Sequence, residues 1–137
     1  MKIVSACLAG IKCRYDGEAK PCQKVLDLIK QGKAIPICPE QLGGLTTPRN
    51  PAEQKENKVF TKNGEDVTSQ FENGAEEALK IALLANCDVA ILKSKSPSCG
   101  CSKVYDGTFS GKLIDGEGVF AKILKKNNIK VISEDDI

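Results

Sequence analysis

The chain has 137 residues, a net charge of +2 and no histidine. That length suits one domain able to bury a core without a metal or disulfide to staple it, and the near-even charge does not advertise a nucleic-acid or membrane partner. The missing imidazole excludes histidine-bearing zinc sites, the two-histidine iron triad, and Ser-His-Asp and Cys-His catalysis, leaving acid–base work to a carboxylate, lysine, tyrosine, thiol or bound water.

In chain order, MKIVSACLAG carries one lysine and an apolar stretch too short for a signal peptide. No run approaches the roughly 18 apolar residues of a membrane span, so the chain reads as cytoplasmic. Residues 2–6, KIVSA, predict a short strand. Residues 22–31, CQKVLDLIKQ, set Val25, Leu26, Leu28 and Ile29 at helical spacing behind Pro21, and Gly32 stops the helix. AIPIC at 34–38 reads as a second strand, weakened by Pro36, which cannot donate to a central ladder. Residues 39–67 are mostly turn formers. Within them NPAEQKENK at 50–58 reads as a polar loop, and Val59–Thr61 with Asn63-Gly64 marks a small hairpin. DVTSQFENGAEEALKIALLANC is the strongest helix, capped by Thr68 or Ser69 and ending near Asn86; Phe71, Ala75, Ala78, Leu79, Ala82 and Leu83 form its buried stripe. DVAIL at 88–92 is a buried strand. A Gly-rich stretch follows, in which Tyr105-Asp106-Gly107 reads as a turn at the site edge. A helix near 117–127 and a last strand, IKVIS at 129–133, complete the chain. This alternation predicts an α/β single domain over residues 1–137, with a short, mostly parallel sheet flanked by helices in a Rossmann-like three-layer arrangement.

Seven cysteines stand at 7, 13, 22, 38, 87, 99 and 101. A secreted disulfide scaffold would be smaller and would carry an even count. Cys7 follows the first predicted strand, Cys38 ends the second, and Cys99 and Cys101 lie in the polar loop KSKSPSCGC after the third. Ligands of open parallel sheets bind beyond the carboxyl ends of the strands, so loops distant in sequence deliver thiols to one edge. Cys22 and Cys87, at helix ends, read as packing residues; Cys13 stays ambiguous, and with Cys101 it is a candidate fourth ligand. Zinc usually takes paired C-x-x-C knuckles, which this chain lacks. Thiolates suit iron–sulfur clusters, and a cubane held by three cysteines leaves one iron open. Free cysteines in ordinary loops remain the alternative.

Arg14, Tyr15 and Asp16 form a polar group after the first thiol, suited to substrate contact or to a plain turn. Arg49 suits an anion or substrate as well as a structural ion pair. Lys93 and Lys95 suit a negatively charged cofactor or a solvated loop. No phosphate loop or dinucleotide fingerprint is present.

Five stretches together resemble the thiouracil desulfidase (TudS-type) family: SACLAGIKCRYDG at 5–17, CPEQLGGLTTPR at 38–49, DVTSQFENGA at 66–75, KSKSPSCG at 93–100 and VYDGTFSG at 104–111. They run in order through nearly the whole chain. Ala9 stands where leucine is usual, and Cys13 and Cys101 occupy positions that often hold other residues, which argues against either being an essential ligand. The resemblance implies a [4Fe–4S] cluster on Cys7, Cys38 and Cys99. It also implies a non-redox reaction that removes the thiocarbonyl sulfur of 2-thiouracil or a related small thiolated base. Substrate sulfur would bind the open iron, and water, activated by a base, would attack the carbon. With the resemblance in hand, Glu40, two residues beyond Cys38, is the first choice of base, since partial desolvation raises a carboxyl pKa. Ser96 and Ser98 flank Pro97 beside Cys99, and one of them is expected to be catalytic, with Ser96 preferred; the other is expected to cap a turn. Arg14, Tyr15 and Arg49 are the substrate-binding candidates. The expected partner is a small molecule, with no nucleic acid and no membrane, acting on a monomer or small homo-oligomer. Two alternatives stand beside this reading: a non-catalytic iron–sulfur or zinc domain, and a desulfidase of thiolated nucleosides or RNA.

Overall fold

The computed structural model describes residues 1–137. The first half of the chain runs through β1 (Lys2–Ser5), a 3-10 turn (Ala6–Ala9), α1 (Gln23–Lys30), β2 (Ala34–Ile37), α2 (Pro39–Leu42), β3 (Ala52–Lys55) and β4 (Lys58–Thr61). The second half adds α3 (Thr68–Leu84), β5 (Val89–Leu92), β6 (Lys103–Tyr105), β7 (Leu113–Asp115), α4 (Val119–Lys126), β8 (Lys130–Ser133) and a closing 3-10 turn (Glu134–Asp136).

The apolar runs pair as one parallel sheet in the order β2-β1-β5-β8. Alternation sorts its side chains onto two faces. Ile3, Ile37, Ala90 and Leu92 meet Ala75, Ala78 and Ala82 of α3 and Phe120, Ala121 and Leu124 of α4. Val4, Ala34 and Ile91 meet Val25 of α1, with Leu8 and Cys7. The result is a three-layer α/β fold, as the alternation of elements predicts. Pro36 fits because β2 is an edge strand, so its missing N–H breaks no central ladder. From β1 the chain steps to β2 on one side, then crosses back to β5 on the other. The topological switch point therefore lies between β1 and β5, where such sheets bind ligands beyond the strand ends.

Several local expectations are corrected. Residues 50–58 are not a loop throughout: Ala52–Lys55 pair antiparallel with Lys58–Thr61 around a turn in which Glu56 and Asn57 have φ of 51° and 65°, the two-residue hairpin geometry that needs left-handed residues. Asn63-Gly64 also turns, but its return is only the single bridge Phe60–Asp66. Neither Thr68 nor Ser69 caps α3. Asp66 Oδ1 accepts the Thr68 N–H at 2.9 Å, and Thr68 Oγ1 accepts the Val59 N–H. Tyr105 ends β6, part of the β6–β7 hairpin, and the turn begins only at Asp106.

Two glycines place the loops that matter. A Cβ on Gly74, inside α3, would lie 1.8 Å from the Pro39 carbonyl oxygen, so its absence lets α2 pack backbone to backbone on α3. A Cβ on Gly118, the residue before α4, would lie 2.3 Å from the Ser98 carbonyl. The Phe120 and Ala121 N–H groups then donate to Ser98 O, and Val119 N–H to Pro97 O, which fastens the loop after β5 onto the start of α4.

Candidate active site

Each parallel strand hands its chain to a site loop at the same edge. Cys7 sits in the turn after β1, Cys38 is the residue before α2 at the end of β2, and Cys99 lies in the loop after β5. All three line one cavity of about 520 Å³, together with Cys13, Glu40 and Ser96. The convergence expected from the strand order is thus present. Cys22 and Cys87 pack in the hydrophobic clusters, as expected. Cys101 is half-buried and does not line the cavity.

Cys7, Cys13 and Cys99 are buried, Cys38 is half-buried, and the thiols lie close to one another. Burial first, then the Cys38 and Glu40 charges, push the Cys99 thiol up to about 12; the Ser5 and Ser98 hydroxyls beside it pull the other way. Cys38 is raised by Cys13 beside it and by burial. Cys13, 2% exposed, is pulled down by Cys38, but Cys7 and burial outweigh this and leave it at about 11. Thiols held this way become thiolates when a cation lies beside them.

Glu40 stands in the first turn of α2 with its side chain 17% exposed, and it faces Arg49. Burial raises its pKa, while Arg49 draws it down. Arg49 Nε and Nη2 both lie 3.2 Å from Oε1, leaving Oε2 without a protein hydrogen bond. Arg49 also donates to Thr46 O, Thr47 Oγ1 and Cys13 O at 3.0–3.1 Å. Its five N–H donors are committed to the protein. It lines the cavity as expected, but it works there as a clamp on Glu40 and on the loop bearing Cys13 rather than as a free hand for substrate. A second cavity, of about 550 Å³, opens on the other side of this pair and is lined by Glu40, Arg49 and Phe71 among others.

The serines separate. Ser96 lines the cavity, and its Oγ accepts the N–H groups of Ser98 and Cys99 at 3.1 and 3.0 Å, so its own proton is free to point elsewhere. Ser98 does not line the cavity; it is 1% exposed, and its Oγ has no hydrogen-bond partner. Arg14 Nε and Nη2 hold Asp16 at 3.2–3.3 Å, the guanidinium lies 5.5 Å from the Tyr15 ring centroid, and both residues line the cavity.

Two contributors escaped the sequence reading. Ser5 ends β1, accepts the Lys93 N–H at 2.9 Å, and lies against Cys99. Glu134 follows β8, accepts the Ser94 N–H at 2.7 Å and Ser94 Oγ at 3.2 Å, and pairs with Lys93 Nζ at 2.9 Å. A buried polar serine at a strand end was a readable signal for the first. Nothing local marked the second, whose role depends on β8 lying beside β5.

Three thiols lining one cavity, in a chain with no imidazole, are a donor set suited to an iron–sulfur cluster, in which each thiolate binds a different iron. The orphaned Ser98 hydroxyl beside Cys99 fits a donor to an anionic thiolate. Arg14, Lys93 and Lys95 line the same cavity and favour negative charge there.

The 2-thiouracil desulfurase family model matches residues 3–136. An uncharacterised Bacillus subtilis (strain 168) protein, YbbK, is 44% identical, with all of this chain and 97% of that protein covered. A solved structure described as a [4Fe–4S]-dependent thiouracil desulfidase, TudS, matches at a TM-score of 0.95 and 44% identity, over 98% of this chain and 91% of that one. No helix is long and apolar enough to cross a membrane. The chain therefore belongs to the 2-thiouracil desulfurase family.

Proposed function

We propose that this chain is a [4Fe–4S]-dependent desulfidase that converts the thiocarbonyl of 2-thiouracil, or a similar small thiolated base, to the carbonyl and releases sulfide. The observation that carries the reading is the meeting of Cys7, Cys38 and Cys99, from three strand ends, in one cavity with the half-buried carboxyl of Glu40. Those three thiolates hold the cluster. When bound, a cluster with one iron free of protein thiolate supplies a Lewis acid for the substrate sulfur.

The remaining work belongs to the chain's own groups. Glu40 Oε2 takes a proton from the water whose oxygen adds to the thiocarbonyl carbon, while Arg49 keeps Oε1 fixed. Ser96 donates its free proton to the substrate ring or to the departing sulfur. Arg14 offers Nη1, which has no protein partner, to a substrate oxygen, and Tyr15 forms the mouth beside it. Ser98 supports Cys99. Water supplies the oxygen and two protons leave with the sulfur, so no electron donor is required. Seven unpaired cysteines suit a reducing cytoplasm.

The test is anaerobic reconstitution, then sulfide release from 2-thiouracil by wild type and by Cys99→Ala. Wild type is expected to take up iron and release sulfide, and Cys99→Ala to do neither. One observation favours a second reading: Cys13 lies against Cys7 and Cys38, as a fourth ligand closing a non-catalytic cluster would. Cys13→Ala discriminates. Unchanged iron content supports the desulfidase; loss of iron supports the closed site.

A further inference from the structure

We propose that Phe109 is the platform on which the substrate ring stacks, and that Glu53 holds it in position. The inference rests on the reading above, that the cavity receives a planar thiolated base.

Phe109 lies in the loop between β6 and β7 and lines the thiol cavity. It belongs to none of the three hydrophobic clusters, whereas Phe71 and Phe120 are fully buried core residues. The core is thus built without this ring, which is half-buried at the cavity wall. Its backbone sits in the left-handed region, with φ of 56°, which a bulky residue adopts only when its surroundings impose it. The imposing group is on a different hairpin. Glu53 Oε1, from β3, accepts the Gly107 N–H at 3.0 Å and the Phe109 N–H at 3.1 Å. Gly107 permits the approach: a Cβ there would lie 2.7 Å from the Gln54 carbonyl oxygen. The loop also braces itself, since Asp106 Oδ1 accepts both the N–H and the hydroxyl proton of Thr108. A rigid loop thus presents one aromatic ring that the core does not need, at the wall of the reaction cavity. Stacking holds a pyrimidine by its π-face and leaves its polar edge to Glu40, Ser96 and Arg14.

The chain contains no tryptophan, so Phe109→Trp places the sole indole at this wall. In the cluster-loaded variant, uracil, the unreactive product, is expected to change the indole emission saturably. Phe109→Leu is expected to raise KM for 2-thiouracil about tenfold or more, with kcat within about twofold and iron content unchanged. Glu53→Ala should raise KM in the same way, and Glu53→Gln, which keeps a carbonyl acceptor, should restore most of it. An unchanged KM in Phe109→Leu, iron loss in that variant, or silent emission in Phe109→Trp overturns the platform. A Glu53→Ala protein with lowered Tm but unaltered KM removes Glu53 from the proposal. Should loaded wild type release no sulfide from 2-thiouracil, the desulfidase reading fails, while the emission titration still decides whether a base stacks on this ring.

Discussion

At the scale of single residues, the site is defined by which atoms are already engaged. Glu40 has one oxygen held by Arg49 and one free, and its carboxyl is pushed toward the neutral form by burial against the pull of that cation. A group so poised exchanges protons more readily than a solvated glutamate. Glu40→Gln keeps the shape but cannot take the proton. It is expected to retain the cluster, read as iron per chain and visible absorption, while kcat falls by roughly 10²–10⁴-fold; an unchanged rate removes Glu40 as the base. Arg49→Lys keeps the charge but loses the planar fork that joins Glu40, Thr46, Thr47 and Cys13. It should lower both Tm and kcat. A variant equal to wild type in both would show that charge alone suffices.

At the scale of elements, the placement of Cys38 and Glu40 depends on α2, a single turn that cannot hold itself. Its anchor is Gly74, whose bare backbone lets the Pro39 carbonyl pack directly against α3. Gly74→Ala would raise intrinsic helix propensity, so a gain in stability is the naive expectation. The structure reverses the sign, because the new Cβ would fall 1.8 Å from Pro39 O. Overpacking of this kind costs roughly 1–3 kcal/mol, and the displaced α2 carries Cys38 and Glu40 with it. Chemical denaturation and iron uptake should therefore fall together, and a stabilised Gly74→Ala protein that still loads iron would refute the contact. The same contrast marks what was legible in the sequence. The four sheet strands announce themselves as short apolar runs and α1 and α3 by helical spacing, although Leu83, expected in the buried stripe of α3, is exposed; with them came the edge on which Cys7, Cys38 and Cys99 converge. The β3 strand, AEQK, is polar and becomes a strand only because KVFT pairs with it. Gly74 and Glu134 act through neighbours far away in sequence, and no local period encodes such contacts; Ser5 alone was marked, as a polar residue closing an apolar strand.

At the scale of the whole molecule, the sheet brings all four strand ends to one edge, and the last of them closes the site from behind. Glu134, after β8, reaches Lys93 and Ser94 after β5, so the C-terminal turn is locked to the cavity wall. Burial works against the Glu134 carboxylate, but the Lys93 ammonium and the Ser94 N–H outweigh it and hold its pKa below the ordinary value of 4.5. A carboxyl depressed on folding contributes stability above its unfolded pKa and loses it as pH falls through the folded one. Wild type should thus lead Glu134→Gln in urea midpoint at pH 7, where the carboxylate and its ion pair are intact. The lead should shrink once pH drops below about 4.5 and vanish when Glu134 is protonated. Other carboxylates that are also depressed, such as Asp106 and Asp115, titrate in both proteins and cancel in the difference. Because Lys93 and Ser94 border the cavity, the same variant should lower sulfide release at neutral pH even where it remains folded. A difference in midpoint that stays constant from pH 7 to pH 3 would mean that the Glu134 carboxylate gains nothing from Lys93, and that the C-terminal turn is held by packing alone.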